Sequence, residues 1–472
     1  MKTYNKYASL QGNLVMVGFG SIGQAVLPLL FRHFEIHPKQ IRIISADANG
    51  EEIAREFGVV STYHVLTEKN YLSVLEACLS KGDFLLNVSV DVSSLALIEL
   101  CWRLEVLYLD TCIEPWPGGY TDTSISVSLR SNYALREKVL SFGREKREGP
   151  TAVLAHGANP GLVSTFVKQA LINIAVDTGL VVKRPTCPEE WAGLACRLEI
   201  KAIHIAERDT QLAAQRKQRN EFVNTWSISG FFGESLQPSE LGWGSHERYL
   251  PQDGARHGFG CDAAIYLNRP GAATRVRSWT PLGGSYHGFL ITHGESISIA
   301  DHFTLREKGK VVYRPTVHYA YHPCDDAVLS IHELAGKNWD LQSNRRLIRD
   351  EIVEGGDELG VLLLGHAKHA YWYGSRLSIQ EARQLAPYNN ATSLQVAAGI
   401  LAGMVWALRN PYAGVVEPDE IDYEVVLEIA SPYLGAVVGV YSDWTPLQDR
   451  EWLFSEEVDR DDPWQFKNIR VV

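Results

Sequence analysis

The sequence predicts an α/β protein, with an N-terminal Rossmann-type, doubly wound parallel sheet followed by a second, α+β domain. Three observations predict it. Short apolar runs alternate with helical patterns over the first ~150 residues, the rhythm of a parallel sheet covered on both faces. A G-x-G-x-x-G turn follows the first apolar run. From about Leu194 strand patterns dominate, separated by loops rich in Gly, Pro and Trp.

In chain order, Asn13 to Val17 reads as a strand and Ile22 to Phe34 as an apolar helix. Gln40 to Ser45 is a second strand, Glu51 to Phe57 a short helix, and Phe84 to Val90 another strand. Leu95 to Arg103 is helical, and Val106 to Thr111 extended. Arg144 to Gly149 is a charged joint. Thr151 to Ala155 is a strand, and a helix begins near Gly161. Further strands are expected at 198–206, 288–300, 311–320 and 360–364. The helix at about 390–408 is apolar nearly all round, which predicts burial. By analogy with two-domain dehydrogenases it returns to the first domain. The tail after Pro411 is acidic and aromatic, with no pattern that places it.

Composition narrows the function classes. The 472 residues are 45% apolar and 21% charged, an ordinary globular balance. The net charge of −11 argues against nucleic acid or an anionic membrane surface as partner, because both need a basic face. Seven scattered cysteines without a C-x-x-C fit a reducing cytoplasm. MKTYNKYASLQGN lacks the apolar core of a secretory signal, and no run approaches 18 apolar residues, so no spanning helix is expected.

The glycine turn is Gly18-Phe19-Gly20-Ser21-Ile22-Gly23, directly after NLVMV and before a helix. In that context the first glycine makes the tight turn and the second lets backbone approach a pyrophosphate. The third allows close helix–strand packing. Asp47 ends the second strand, 24 positions beyond Gly23, where a carboxylate would meet the adenosine ribose and repel a 2′-phosphate. That favours NAD over NADP; Asp47 could equally cap its own turn.

Ligands of an open parallel sheet sit beyond its carboxyl ends. Asn87, Ser89 and Asp91 end one strand, Thr111 and Glu114 follow another, and Asn159 and Pro160 a third. These are candidates for the nicotinamide end. Asp91 and Asn159 also fit as helix N-caps. In ITHGESISI (291–299) strand alternation would put His293 and Glu295 on one apolar face, about 7 Å apart at ~3.3 Å per residue. A buried charge there needs a partner or ligand, though a structural ion pair also fits. Glu207 ends LEIKAIHIAE, and Trp226 lies in the uncharged run TWSISGFF before Glu234. Carboxylates and an indole face suit an organic ammonium; a core tryptophan is the plainer alternative. No metal is expected. His318 and His322 lie in a strand pattern, where four residues span ~13 Å, too far for one ion.

The motifs VGFGSIGQ (17–24), NVSVDVSS (87–94), YLDTCIEPW (108–116), AHGANPGLVS (155–164), HIAERDTQ (204–211), FVNTWS (222–227) and THGESISI (292–299) together resemble the bacterial homospermidine synthases, within the wider saccharopine-dehydrogenase-like group. The resemblance implies a homodimer with a Rossmann NAD-binding domain at 1–155, to which the helix at 390–408 returns. It also implies a substrate and dimerisation domain at 156–389, with 409–472 unplaced. NAD would be a recycled prosthetic group. The implied reaction condenses two putrescines, or spermidine plus putrescine, to sym-homospermidine. It proceeds by amine oxidation to an imine, transimination with loss of ammonia, and re-reduction, with no net redox. Asp91, Glu114, Asn159, Glu207, Trp226, Glu234, His293 and Glu295 match the family's amine pocket. Two rivals remain: a net oxidoreductase of the saccharopine type, whose pocket should carry arginines, and a non-catalytic NAD-binding protein.

Overall fold

A computed structural model describes residues 4–146, 148–181, 183–450 and 452–472. The first sheet is built from β1 (Leu14–Val17), β2 (Ile41–Ser45), β3 (Val60–Tyr63), β4 (Phe84–Asn87), β5 (Leu107–Asp110) and β6 (Ala152–Val153), in the order β3-β2-β1-β4-β5-β6. All of its pairings are parallel. This order reverses at β1, and ligands bind at such a switch point. Helix α1 (Ser21–His33) follows β1, α2 (Ser94–Leu104) lies between β4 and β5, and α3 (Asn132–Lys146) precedes β6. The predicted strand at 84–90 stops at Asn87, and the chain turns with Asp91 at φ 63°. The expected joint at 144–149 begins as the exposed end of α3; Arg147 lies outside the described residues.

Past β6, α4 (Leu162–Asp177) leads to a second, eleven-stranded mixed sheet. Its centre holds β7 (Ala202–Asp209), reached after four residues more than the sequence suggests. Helix α5 (Ile228–Leu236) and strand β8 (Pro238–Gly242) follow. Then come helix α6 (Glu295–His302) and strands β9 (Thr316–His322), β10 (Gly356–Leu364) and β11 (Ala370–Ser378). Their order is β8-β9-β7-β10-β11, with β9 and β7 parallel and the others antiparallel.

The predicted strand at 288–300 is corrected. A strand ends at Phe289, and Glu295–His302 is a helix. Residues 295–300 are all buried, so the small serines are as hidden as the isoleucines and period-two alternation carries no facing information. Glu295 sits in the first turn, where the helix dipole favours an acid.

Helix α7 (Ala391–Arg409) packs on α1 and β5, so it does return to the first sheet. Asn390 caps it reciprocally with Ser393. With a window mean hydropathy of 1.6, it is the one described helix apolar and long enough to cross a membrane, but 83% of that window is buried inside the fold.

The tail falls into two places. Strand β12 (Val415–Val416) joins the edge of the first sheet beside β6. Helix α8 (Tyr423–Ala430) packs on α4 and α7, and β13 (Ala436–Ser442) extends the second sheet beside β11. The tail therefore ties both sheets together.

Candidate active site

A cleft of about 1700 Å³, open to solvent, runs along the carboxyl ends of β1, β2, β4 and β5. The glycine turn forms its floor. Gly18 has φ +90°, and a Cβ on it would stand 2.7 Å from the Val88 carbonyl oxygen. Gly20 faces open space, while a Cβ on Gly23 would stand 2.9 Å from the Gly18 carbonyl oxygen. Helix α1 has no side-chain cap, so its first amides are free for an anion. A cradle with uncapped amides and a bare glycine fits a dinucleotide pyrophosphate.

Ser21, Ile22, Asp47, Ser89, Asp91, Thr111 and Glu114 also line this cleft. Asp47 accepts the Asn49 amide at 2.9 Å, so it caps its own turn while facing the groove. Asn87 does not line the cleft. It is buried, donates to the Tyr108 hydroxyl at 3.3 Å, and accepts from Ser89 Oγ at 2.6 Å. It holds the serine that does face the groove.

A second pocket, with about 100 Å³ of space for water-sized bodies, continues inward past Ile22 and Thr111. Asn159, Pro160, Glu207, Trp226, Glu234 and His293 line it, with Tyr319, Tyr321, Gln237 and Thr392. No Lys or Arg is among its lining residues. Glu207 is 2% exposed and comes from the middle of the second sheet. Its Oε2 accepts from Asn159 Nδ2 at 2.6 Å and Tyr319 Oη at 2.5 Å. Asn159 is not an N-cap, because Gly161 occupies that position before α4. Likewise Ser93, not Asp91, caps α2.

His293 and Glu295 are closer than a strand would allow. His293 Nδ1 lies 3.2 Å from Glu295 Oε1, and Nε2 lies 3.1 Å from Glu234 Oε2. The first contact is a hydrogen bond; the second is an ion-pair contact without hydrogen-bond alignment. Burial lowers the His293 pKa, but the flanking Glu234 and Glu295 outweigh it and hold it well above its ordinary value. Trp226 serves both of its sequence readings. Its ring packs near Phe231 at 6.1 Å and also lines both cavities. Its Nε1 donates to Tyr321 Oη at 3.3 Å, and its carbonyl accepts from the Ser21 hydroxyl.

The electrostatics follow from burial without cations. Burying a carboxylate costs several kcal/mol, and each hydrogen bond to the ionised oxygen offsets about 1.5–3 kcal/mol of it. With two such bonds Glu207 is left poised for a proton or a cationic ligand. Burial accordingly pushes Glu207 up to about 7, despite its bonds to Tyr319 and Asn159. Burial, then the charges of Glu234 and Asp91, push Glu114 up to about 8. Burial also raises Asp91.

Sequence reasoning missed several neighbours. Tyr319 and Tyr321 alternate along β9 in VHYAYH, a signal that was present in the pattern. Asp209, two residues beyond Glu207, is pushed up to about 6 by burial and accepts from Thr225 and Gln211. Asp357 on β10 is buried opposite it and takes the Thr392 hydroxyl at 2.5 Å. Only the fold joins these two. Among the described residues no group of three or more His, Cys, Asp or Glu is placed to hold a metal.

The chain is similar to known proteins. The family model described as saccharopine dehydrogenase NADP binding domain matches residues 14–153, and that of the saccharopine dehydrogenase C-terminal domain matches residues 157–440. The chain is 53% identical to a homospermidine synthase of Blastochloris viridis, covering 100% of both chains. It is 51% identical to one from Mesorhizobium japonicum, covering 98% of this chain and 97% of the relative. The crystal structure of the Legionella pneumophila homospermidine synthase in complex with NAD superposes with a TM-score of 0.92. Identity there is 51%, over 98% of each chain.

Proposed function

The chain belongs to the homospermidine synthase family, and from that premise we propose how its two cavities work together. It is an NAD-dependent enzyme that makes sym-homospermidine from two putrescines with release of ammonia, or from spermidine plus putrescine with release of 1,3-diaminopropane. One observation carries this reading: the inner pocket presents Glu207, Glu234 and an indole, with no Lys or Arg in its lining. A saccharopine-type substrate bears carboxylates and would need arginines there.

Gly18, Gly20, Ser21, Ile22 and Gly23 would hold the dinucleotide at the start of α1, with Asp47 toward the adenosine ribose. One matching family domain is described by NADP. The Legionella protein was solved with NAD, and a carboxylate at Asp47 repels a 2′-phosphate, so NAD is the cofactor we assign. When bound, NAD supplies reversible acceptance of a hydride from the amine carbon.

The chain's own groups do the rest. An ammonium cannot release hydride until it loses a proton. Glu207, whose pKa burial raises to about 7, takes that proton at Oε1. Asn159 and Tyr319 donate to its Oε2 and so fix the carboxyl. Trp226 holds a cationic carbon–nitrogen centre by its ring face. Glu114 and Asp91 stabilise positive charge at the cleft end, and Ser89, Thr111 and Pro160 shape its passage. Glu234 and Glu295 orient His293, so that the inner wall presents an ordered, net negative surface to the far ammonium.

Incubating the protein with NAD and putrescine tests the reading. Homospermidine and ammonia should form without NADH accumulation. Stoichiometric NADH would support net oxidation instead, and no turnover of any diamine would support a non-catalytic NAD-binding protein. The same reading takes the protein as a cytoplasmic homodimer. Seven free thiols suit a reducing compartment, and Trp452, Leu453 and Phe454 expose apolar surface that a second copy could cover. Light scattering at working concentration should return twice the chain mass.

A further inference from the structure

A third cavity lies behind the amine pocket and shares Cys112, Asn132, Pro160 and Gly294 with it. We propose that it is a binding site for ammonium, receiving the nitrogen that leaves the reaction. The proposal rests on the functional reading above.

Size comes first. The free space within this cavity admits one body of water size, which suits ammonia or ammonium and excludes a diamine. Charge comes second. Arg136 lines the cavity but is spoken for: it pairs with Glu417 at 2.6 Å, Asp301 at 3.0 Å and Glu137 at 3.2 Å. That group carries a negative excess, and Glu295 adds to it, so the site selects a cation over an anion.

The third observation points to the ligand directly. Glu295 is 1% exposed, and its Oε1 is committed to His293. Its Oε2 is buried with no hydrogen-bond partner, although the residue lines this cavity and not the amine pocket. A buried carboxylate oxygen without a donor is expensive. Ammonium has four donors and matches it. Ser298, one turn along α6, lines the same wall and offers a hydroxyl.

Leaving ammonia would thus take back the proton that Glu207 received from the substrate ammonium, pass the Asn132–Gly294 wall as ammonium, and wait beside Glu295 until the amine pocket clears. No bond of the substrate changes in this step.

Two measurements test it. Crystals soaked in thallium(I), an ammonium stand-in with anomalous signal, should show a peak within hydrogen-bond distance of Glu295 Oε2. The second is the reverse reaction with homospermidine and 15N-ammonium. Ser298→Leu fills the cavity and should raise the ammonium KM about tenfold, with the polyamine KM changed less than about twofold. Ser298→Ala keeps the space but loses the hydroxyl, so it should raise the ammonium KM by only about two- to threefold. An unchanged ammonium KM in a folded Ser298→Leu, or no thallium peak in the unaltered protein, overturns the site. If the unaltered protein makes no homospermidine from putrescine, the functional reading itself fails; a normal forward rate with either negative result sinks only the ammonium site.

Discussion

The cofactor cleft and the amine pocket meet at Trp226 yet recognise their ligands by opposite means. The cleft uses backbone: a positive-φ glycine, an open glycine and the uncapped amides of one helix. The pocket uses side chains from both halves of the chain, with Glu207 from β7, His293 from a loop and Asn159 from the turn before α4. The cleft is open to solvent at its rim, and its selectivity comes from shape and one carboxylate. The pocket buries carboxylates whose only permanent partners are neutral groups and His293, so it is completed by a cation.

The sharpest way to break this contrast is Glu207→Gln. The amide keeps the shape but cannot take the ammonium proton. Homospermidine formation should fall by ~100-fold or more, the usual range for losing a general base, while NAD titrates normally by NADH fluorescence. Parallel loss of NAD binding would mean that the two regions are not separable. Trp226→Ala comes next. It should weaken diamine kcat/KM by ~10-fold, from a cation–π contact of about 1–2 kcal/mol, and leave NAD affinity intact. Equal loss of both would make the indole a packing residue alone.

Asp47→Ala probes the other side. NAD affinity should drop by roughly fivefold, about 1 kcal/mol, the net worth of a typical hydrogen bond, and discrimination against NADP should shrink. Diamine KM at saturating NAD should not move.

The smallest effect is in stability. Glu207 and Glu114 have folded values of about 7 and about 8, above the ordinary 4.5. A raised acid contributes its stability below 4.5 and loses it as pH climbs through 7 to 8. The melting temperature of the unliganded protein should therefore sag from pH 6 to 8.5, and putrescine should restore it more at the alkaline end. A putrescine shift independent of pH would show that these carboxylates do not face the diamine. Activity should rise over the same interval as the acids ionise.

The contrast also explains what could be read from the sequence. The glycine turn was legible because its conformation is local: six consecutive residues carry it. The buried return helix was legible because small and apolar residues surround it on all sides. His293 and Glu295 were expected about 7 Å apart on one strand face; the helix brings them to 3.2 Å, and full burial of 295–300 had erased the difference between a strand face and a helix. Asp357 was invisible. It gains meaning only when β10 pairs antiparallel to β7 and brings it opposite Asp209, 148 positions away. The tail had no signal because its described strands are two, seven and two residues long and are divided between the two sheets.

The Ser21 hydroxyl and the Trp226 carbonyl join the two regions at one point. The aromatic wall is thus hung from the turn proposed to hold the pyrophosphate. Emptying the dinucleotide groove should slacken that wall, and diamine affinity should then depend on prior loading of the nucleotide. A protein assembled in this sequence has reason never to let its nucleotide go between turnovers.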